Sequence, residues 1–276
     1  MWDGKVTALL TKKTDWNGRE ENIRIPTRTG EVGARVYIPN PRASEILLYF
    51  HGGGWVLGNL DQAEYPCRLL ATQTGRILIS VDYRLAPENK FPSGLEDCYD
   101  ASKWAGTHAD KIGASAENMA VCGDSAGGNL AATVSLLAKD RGEPRIDRQI
   151  LIYPVTDLTD PSYANFPDEL SPALTRADMT WFITHYVRGK EDLRNPYASP
   201  LRRSDLRDLP PALLVTAEYD ILKQQCDAYA KRLNDAGVRV SVASYAGLVH
   251  GFFTLPDVFD DAHDAANRIG QELAPS

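Results

Sequence analysis

The stretch Met119-Ala120-Val121-Cys122-Gly123-Asp124-Ser125-Ala126-Gly127-Gly128-Asn129-Leu130 decides the fold. Its first half is apolar and predicts a buried strand over 119–123. Its second half opens a predicted helix over 127–139. A Gly-x-Ser-x-Gly pattern, Gly123 to Gly127, spans the junction. Strand, tight turn and helix together form the setting in which a serine is lifted above a sheet edge as a nucleophile. So tight a turn leaves almost no room for side chains at its flanks, and glycine meets that demand. The helix that follows points the positive end of its dipole at the same spot.

Working outward from this junction, strands are predicted at 34–39, 46–50, 76–82, 149–153, 212–217 and 239–245. Helices are predicted at 62–74, 94–107, 222–236 and 258–272. Gly75 and Gly237 fall just past two of these helices, where a left-handed cap is expected. Strands alternating with helices predict an α/β fold with a mainly parallel central sheet flanked by helices. Ile150-Leu151-Ile152-Tyr153 and Ala212-Leu213-Leu214-Val215 are near-continuous apolar runs, as strands buried on both faces should be.

Two pieces break the alternation. One is residues 1–30, expected as an N-terminal cap segment. The other is residues 158–209, expected as a cap insertion between the two parts of the core, 31–157 and 210–276. The insertion holds Pro161, Pro167, Pro172, Pro196 and Pro200, with one apolar helical patch, Met179-Thr180-Trp181-Phe182-Ile183. A long insertion in a compact fold is usually functional. Both pieces are expected to cover the carboxyl edge of the sheet.

Composition narrows the function. The chain has 276 residues, 43% apolar and 24% charged, the profile of a globular protein. Thirty basic against 37 acidic residues give a net charge of −7, which argues against a nucleic-acid partner. Arg202, Arg203 and Arg207 are interrupted by Asp205 and Asp208 and read as a solvated face. No apolar run is long enough to span a membrane. Residues 1–13 lack the apolar centre of a secretory signal. Cys67, Cys98, Cys122 and Cys226 are scattered singly and the five histidines do not cluster, so no metal site is expected. Reduced, buried thiols in a cytoplasmic protein are the expectation.

A serine hydroxyl is a weak nucleophile at neutral pH. It needs a base within hydrogen-bond reach and a third group to fix that base's tautomer. The sequence supplies both in the order serine, acid, histidine. Asp220 follows the predicted strand 212–217, and His250 follows the last predicted strand, in Gly247-Leu248-Val249-His250-Gly251-Phe252. Both fall on loops at carboxyl ends of strands, where ligands bind in open α/β sheets. Glu218 is the rival acid, placed less far out on its loop. His108 and His263 fall in predicted helices and His185 in the insertion, so all three read as non-catalytic.

Acyl transfer also needs donors for a developing oxyanion. Tyr49-Phe50-His51-Gly52-Gly53-Gly54-Trp55 runs from the end of a predicted strand into three glycines, whose N–H groups can approach a substrate without side chains in the way. Gly52, Gly53 and Gly54 are the candidates, with the N–H of Ala126 as partner. Which two glycines donate stays open. His51 suits a loop-bracing hydrogen bond better than the role of base.

At this point the sequence resembles the hormone-sensitive-lipase-like (bacterial family IV) carboxylesterases. The resemblance rests on His51-Gly52-Gly53-Gly54-Trp55, Asp82-Tyr83-Arg84-Leu85-Ala86-Pro87-Glu88 and Gly123-Asp124-Ser125-Ala126-Gly127-Gly128-Asn129. It rests also on Asn195-Pro196-Tyr197-Ala198-Ser199-Pro200-Leu201, Ala217-Glu218-Tyr219-Asp220 and His250-Gly251-Phe252. It runs from about Val36 to Phe253. The resemblance implies an α/β-hydrolase fold with a mostly helical cap and esterase activity without a cofactor. It implies Ser125 as nucleophile, His250 as base, Asp220 as its orienter, and a homodimer paired through the last strand. Asp157 is a candidate brace of the His250 loop. Two departures stand out: Ile221 follows Asp220 where family members often carry proline, and the stretch before His51 is short.

The expected function is hydrolysis of short-chain, soluble carboxylic esters through an acyl-enzyme. An amidase or peptidase, or a non-catalytic ligand receptor, are the other readings the scaffold allows. Trp181, Phe182 and Tyr186 are candidates for the substrate pocket. The helical spacing of Met179, Phe182, Ile183 and Tyr186 points equally to packing of the cap.

Overall fold

The computed structural model describes residues 16–160 and 166–274. Eight strands form one sheet: β1 (Arg19–Thr27), β2 (Gly30–Ile38), β3 (Ile46–Phe50), β4 (Ile77–Asp82), β5 (Met119–Asp124), β6 (Arg148–Ile152), β7 (Ala212–Tyr219) and β8 (Val240–Val249). Their order is β1-β2-β4-β3-β5-β6-β7-β8. β4, β3, β5, β6, β7 and β8 run parallel, while β1 and β2 are antiparallel to each other and β2 to β4.

Six α-helices are described: α1 (Glu64–Thr74), α2 (Ser93–Thr107), α3 (Ala126–Arg141), α4 (Arg176–Tyr186), α5 (Lys223–Asp235) and α6 (Asp261–Leu273). None is long and apolar enough to cross a membrane. Gly75 ends α1 with φ 66°, and its N–H binds the Ala71 carbonyl. Gly237, just past α5, has φ 82°. These are the left-handed positions expected of both glycines.

Alternate residues of each inner strand serve opposite faces. Ile46, Leu48 and Phe50 join one hydrophobic layer, with Leu95, Leu130, Leu222 and Cys226 from α2, α3 and α5 or their edges. Leu47 and Tyr49 join the other, with Leu69 and Leu70 of α1 and Ala265 and Ile269 of α6. This period of two explains why the inner strands read as continuous apolar runs: both faces are covered.

Residues 19–27, expected within the N-terminal cap segment, instead form the edge strand β1. Only Ile23 and Ile25 alternate inward there, among Arg19, Glu20, Glu21 and Arg24, and Pro26 sits where only an edge strand tolerates it. The exposed face is therefore charged, and the apolar signal is too thin to mark a strand. Residues 1–15 of that segment lie outside the described residues.

In the insertion, α4 is the only α-helix among the described residues, with short 3-10 turns at Asp168–Leu170, Asp192–Arg194 and Pro200–Arg202. A capping box starts α4: Thr175 accepts from the Asp178 N–H, and the Asp178 carboxylate accepts from the Thr175 N–H. Residues 161–165, with Pro161, lie outside the described residues.

Candidate active site

Five neighbouring strands, β3, β5, β6, β7 and β8, end on one edge of the sheet, and each delivers one part of the site. Ser125 alone joins β5 to α3. Its backbone is at φ 56°, ψ −118°, a left-handed setting rare for a residue with a side chain. The flanking glycines permit it. A Cβ on Gly127 would stand 1.9 Å from the Phe50 carbonyl oxygen, and one on Gly123 2.3 Å from the Gly127 backbone.

β7 and β8 lie side by side, so the residues that follow them meet. Nδ1 of His250 is 2.8 Å from Oδ2 of Asp220, and Nε2 of His250 is 2.9 Å from Oγ of Ser125. Asp220 is buried, and its Oδ1 accepts from the Leu222 N–H. A buried acid, a ring and a hydroxyl thus form one hydrogen-bonded line. Such a line can hold the imidazole in one tautomer and take a proton from the serine. Glu218, the rival acid, is exposed and accepts from the Gly247 N–H.

The glycine loop follows β3, next to β5. The Gly52 N–H donates to Oδ1 of Asp124 at 2.9 Å. The Gly52 carbonyl lies 2.7 Å from Nδ1 of His51, and the Gly53 carbonyl accepts from the N–H groups of Val56 and Leu57. Tyr83 stacks on the His51 ring and donates its hydroxyl to the His51 carbonyl at 2.8 Å. His51 is buried, and desolvation holds its pKa below the usual histidine range. It therefore braces the loop as a neutral ring. Ala126 is the first residue of α3, where N–H groups have no partner within the helix.

The three aromatic residues singled out in the insertion divide. Phe182 lies against the glycine loop, so that a Cβ on Gly54 would meet its ring at 2.1 Å. Tyr186 is buried and stacks on Trp55 with ring centroids 4.2 Å apart. Trp181 is 47% exposed and packs on His185. His185 and His263 lie in α4 and α6, and His108 follows α2. Asp157 accepts from Thr159 and Arg202. Arg203 and Arg207 pair with Asp140 and Asp205.

Two site residues escaped the sequence reading. Tyr153, at the end of β6, is a buried residue with φ 34°, and its ring lies 4.6 Å from that of His250. Asp124 is the buried partner of the Gly52 N–H. Ile150-Leu151-Ile152-Tyr153 and Gly123-Asp124-Ser125 stand out in the sequence, but what the Tyr153 and Asp124 side chains touch is set by strand neighbours distant in sequence.

Comparison with known proteins agrees with this architecture. The family model described as "alpha/beta hydrolase fold" matches residues 47–254. The chain is 40% identical over 258 residues to Esterase LipI of Mycobacterium tuberculosis, covering 91% of this chain and 80% of that protein. It is 37% identical to an arylesterase of Saccharolobus solfataricus, covering 91% of this chain and 83% of that one. A solved esterase structure from Pyrobaculum calidifontis superposes with a TM-score of 0.93 at 41% identity, over 98% of this chain and 90% of that one. With sheet order, family model and relatives in agreement, the chain belongs to the alpha/beta-hydrolase fold family, among the hormone-sensitive-lipase-like carboxylesterases that its motifs resemble.

Proposed function

We propose that this chain is a serine carboxylesterase acting on short-chain esters, with Ser125 as nucleophile, His250 as general base and acid, and Asp220 as the group that orients His250. The observation that carries the reading is the unbroken line Asp220–His250–Ser125, with contacts of 2.8 and 2.9 Å, beside a glycine loop. His250 takes the Ser125 proton as Oγ attacks the ester carbonyl. The tetrahedral oxyanion collapses, the acyl–oxygen bond breaks, and the alcohol leaves with the proton from His250. Water, deprotonated by His250, then attacks the acyl-enzyme and releases the acid.

The oxyanion donors follow from peptide geometry. In a trans peptide the C=O and the next N–H point in opposite directions. The Gly52 and Gly53 carbonyls turn into the loop, toward His51 and toward Val56 and Leu57. The N–H groups of Gly53 and Gly54 therefore face outward, while that of Gly52 is committed to Asp124. Gly53, Gly54 and Ala126 are the proposed oxyanion hole. Phe182 walls the site beside Gly54. Of the three aromatic candidates, Phe182 is the ring proposed to face the substrate; Tyr186 acts through packing on Trp55, and Trp181 is half-exposed and packs on His185.

Four free, buried cysteines fit a cytoplasmic setting. β8 is the sheet edge, with one row of backbone groups unpaired by the sheet, which suits pairing of two copies.

A panel of 4-nitrophenyl esters from acetate to palmitate, run beside the matching anilides, tests the reading. Activity should peak at the short acyl chains, far exceed that on anilides, and end when an organophosphate labels Ser125. A peak at laurate or longer would sink the short-chain claim, and equal turnover of anilides would make the chain an amidase. Absence of any turnover would leave the receptor reading.

A further inference from the structure

We propose that Asp124 is a positioning residue of the oxyanion loop, and that Tyr49 sets Asp124. The inference rests on the esterase reading and deepens it at the same site.

The argument starts from strand parity. Tyr49 of β3 pairs with Cys122 of β5, and both face the layer beneath α1 and α6. Asp124, two residues beyond Cys122, points to the same face. The Tyr49 hydroxyl accordingly reaches Oδ1 of Asp124 at 2.5 Å. The same Oδ1 accepts from the Gly52 N–H at 2.9 Å. Asp124 is 5% exposed, and a Cβ on Gly52 would stand 2.3 Å from its Oδ2, so the loop is seated directly on the carboxyl group.

This contact does two things. It withdraws the first glycine N–H from the substrate side, and it fixes the peptide plane from which Gly53 and Gly54 continue. With His51 holding the Gly52 carbonyl, the loop is gripped at consecutive peptide groups, one by an acceptor and one by a ring N–H. Burial pushes the Asp124 carboxyl upward in pKa, and its hydrogen bonds from Tyr49 and Gly52, with His51 and His250 nearby, oppose that shift. The position needs an acceptor oxygen held in place, and a neutral amide supplies one.

The test uses Asp124→Ala, Asp124→Asn and Tyr49→Phe in the full chain. It reads kcat and KM on 4-nitrophenyl acetate, and Ki for a trifluoromethyl ketone, whose hemiketal oxygen takes the oxyanion's place. Asp124→Ala should lower kcat by about 100-fold with KM within about threefold, and raise Ki in proportion to the fall in kcat/KM. Asp124→Asn should recover all but about fivefold, because Asn Oδ1 still accepts from Gly52.

Several results would overturn the inference while wild type stays active. They are an unchanged kcat in Asp124→Ala, a loss confined to KM, a Ki that fails to follow kcat/KM, or an Asn variant as impaired as the Ala one. If Asp124→Ala does not fold, Tyr49→Phe decides: a fall of about fivefold in kcat/KM matched in Ki supports the inference, and no change in either overturns it. An inactive wild type would instead overturn the esterase reading itself.

Discussion

The site joins two regions built in unlike ways. On one side are the carboxyl ends of β3, β5, β6, β7 and β8, where Asp124, Tyr153 and Asp220 are all buried. Each of these groups ends or follows a strand whose neighbours fix it. On the other side is the insertion, with a single 11-residue α-helix among its described residues. It meets the glycine loop through Phe182 on Gly54 and Tyr186 on Trp55. The two regions differ in how they are held: groups at the sheet edge follow strands fixed by their neighbours, whereas the insertion lays one helix against the glycine loop. On the proposed function, the first would set the chemistry and the second the choice of substrate.

Substitutions at the sheet edge should break this division hardest. Ser125→Ala should lower kcat by about 10⁶, and Asp220→Asn by about 10⁴, because an amide favours the wrong imidazole tautomer. Stopped assays on 4-nitrophenyl butyrate measure both. Near-wild-type turnover in Ser125→Ala would end the covalent mechanism.

The insertion gives the smaller, selective effects. Phe182→Ala should change kcat/KM on acetate by less than about threefold while raising the octanoate-to-acetate ratio by about tenfold. Trp181→Ala should leave the ratio unchanged. If the two substitutions act alike, the wall has been assigned to the wrong ring.

The smallest effect concerns stability. Buried His51 has a lowered pKa, so below the ordinary histidine pKa of about 6.5 the unfolded chain takes a proton that the native ring resists. The stabilisation from His51 is therefore fully present above about pH 6.5 and declines as the pH falls further. The melting temperature of wild type over His51→Gln should shrink between pH 7.5 and pH 5.5, a gap read by calorimetry. A gap that widens on acidification would show that His51 is stabilised in its charged form.

Much of this was legible in the residues. Strong apolar runs marked the inner strands to within a few positions, and Gly123, Gly127 and the three loop glycines announced the turns that need them. Ser125, Asp220 and His250 could be named because their order and their loops are linear properties. β1 was hidden because an edge strand needs only two inward isoleucines. β8 continues four residues past the predicted end, through Ala246-Gly247-Leu248-Val249, because pairing with β7 carries on across an irregularity near Tyr219 that no periodicity records. Asp124 and Tyr153 were in plain view as letters. Their roles depend on register between β3 and β5 and on the neighbours of β6, which exist only once the sheet is assembled.

The Tyr49–Asp124 contact has a practical consequence for anyone engineering this enzyme. Tyr49, Cys67 and Cys122 belong to the helix-covered underside, a layer that would ordinarily be redesigned freely for heat tolerance. Here a phenol in that layer reaches along its own face to Asp124, the acceptor that holds the proposed oxyanion loop at the sheet edge. Variants selected there for higher melting temperature should be screened for turnover at the same time, since a tighter underside can tilt the loop above it.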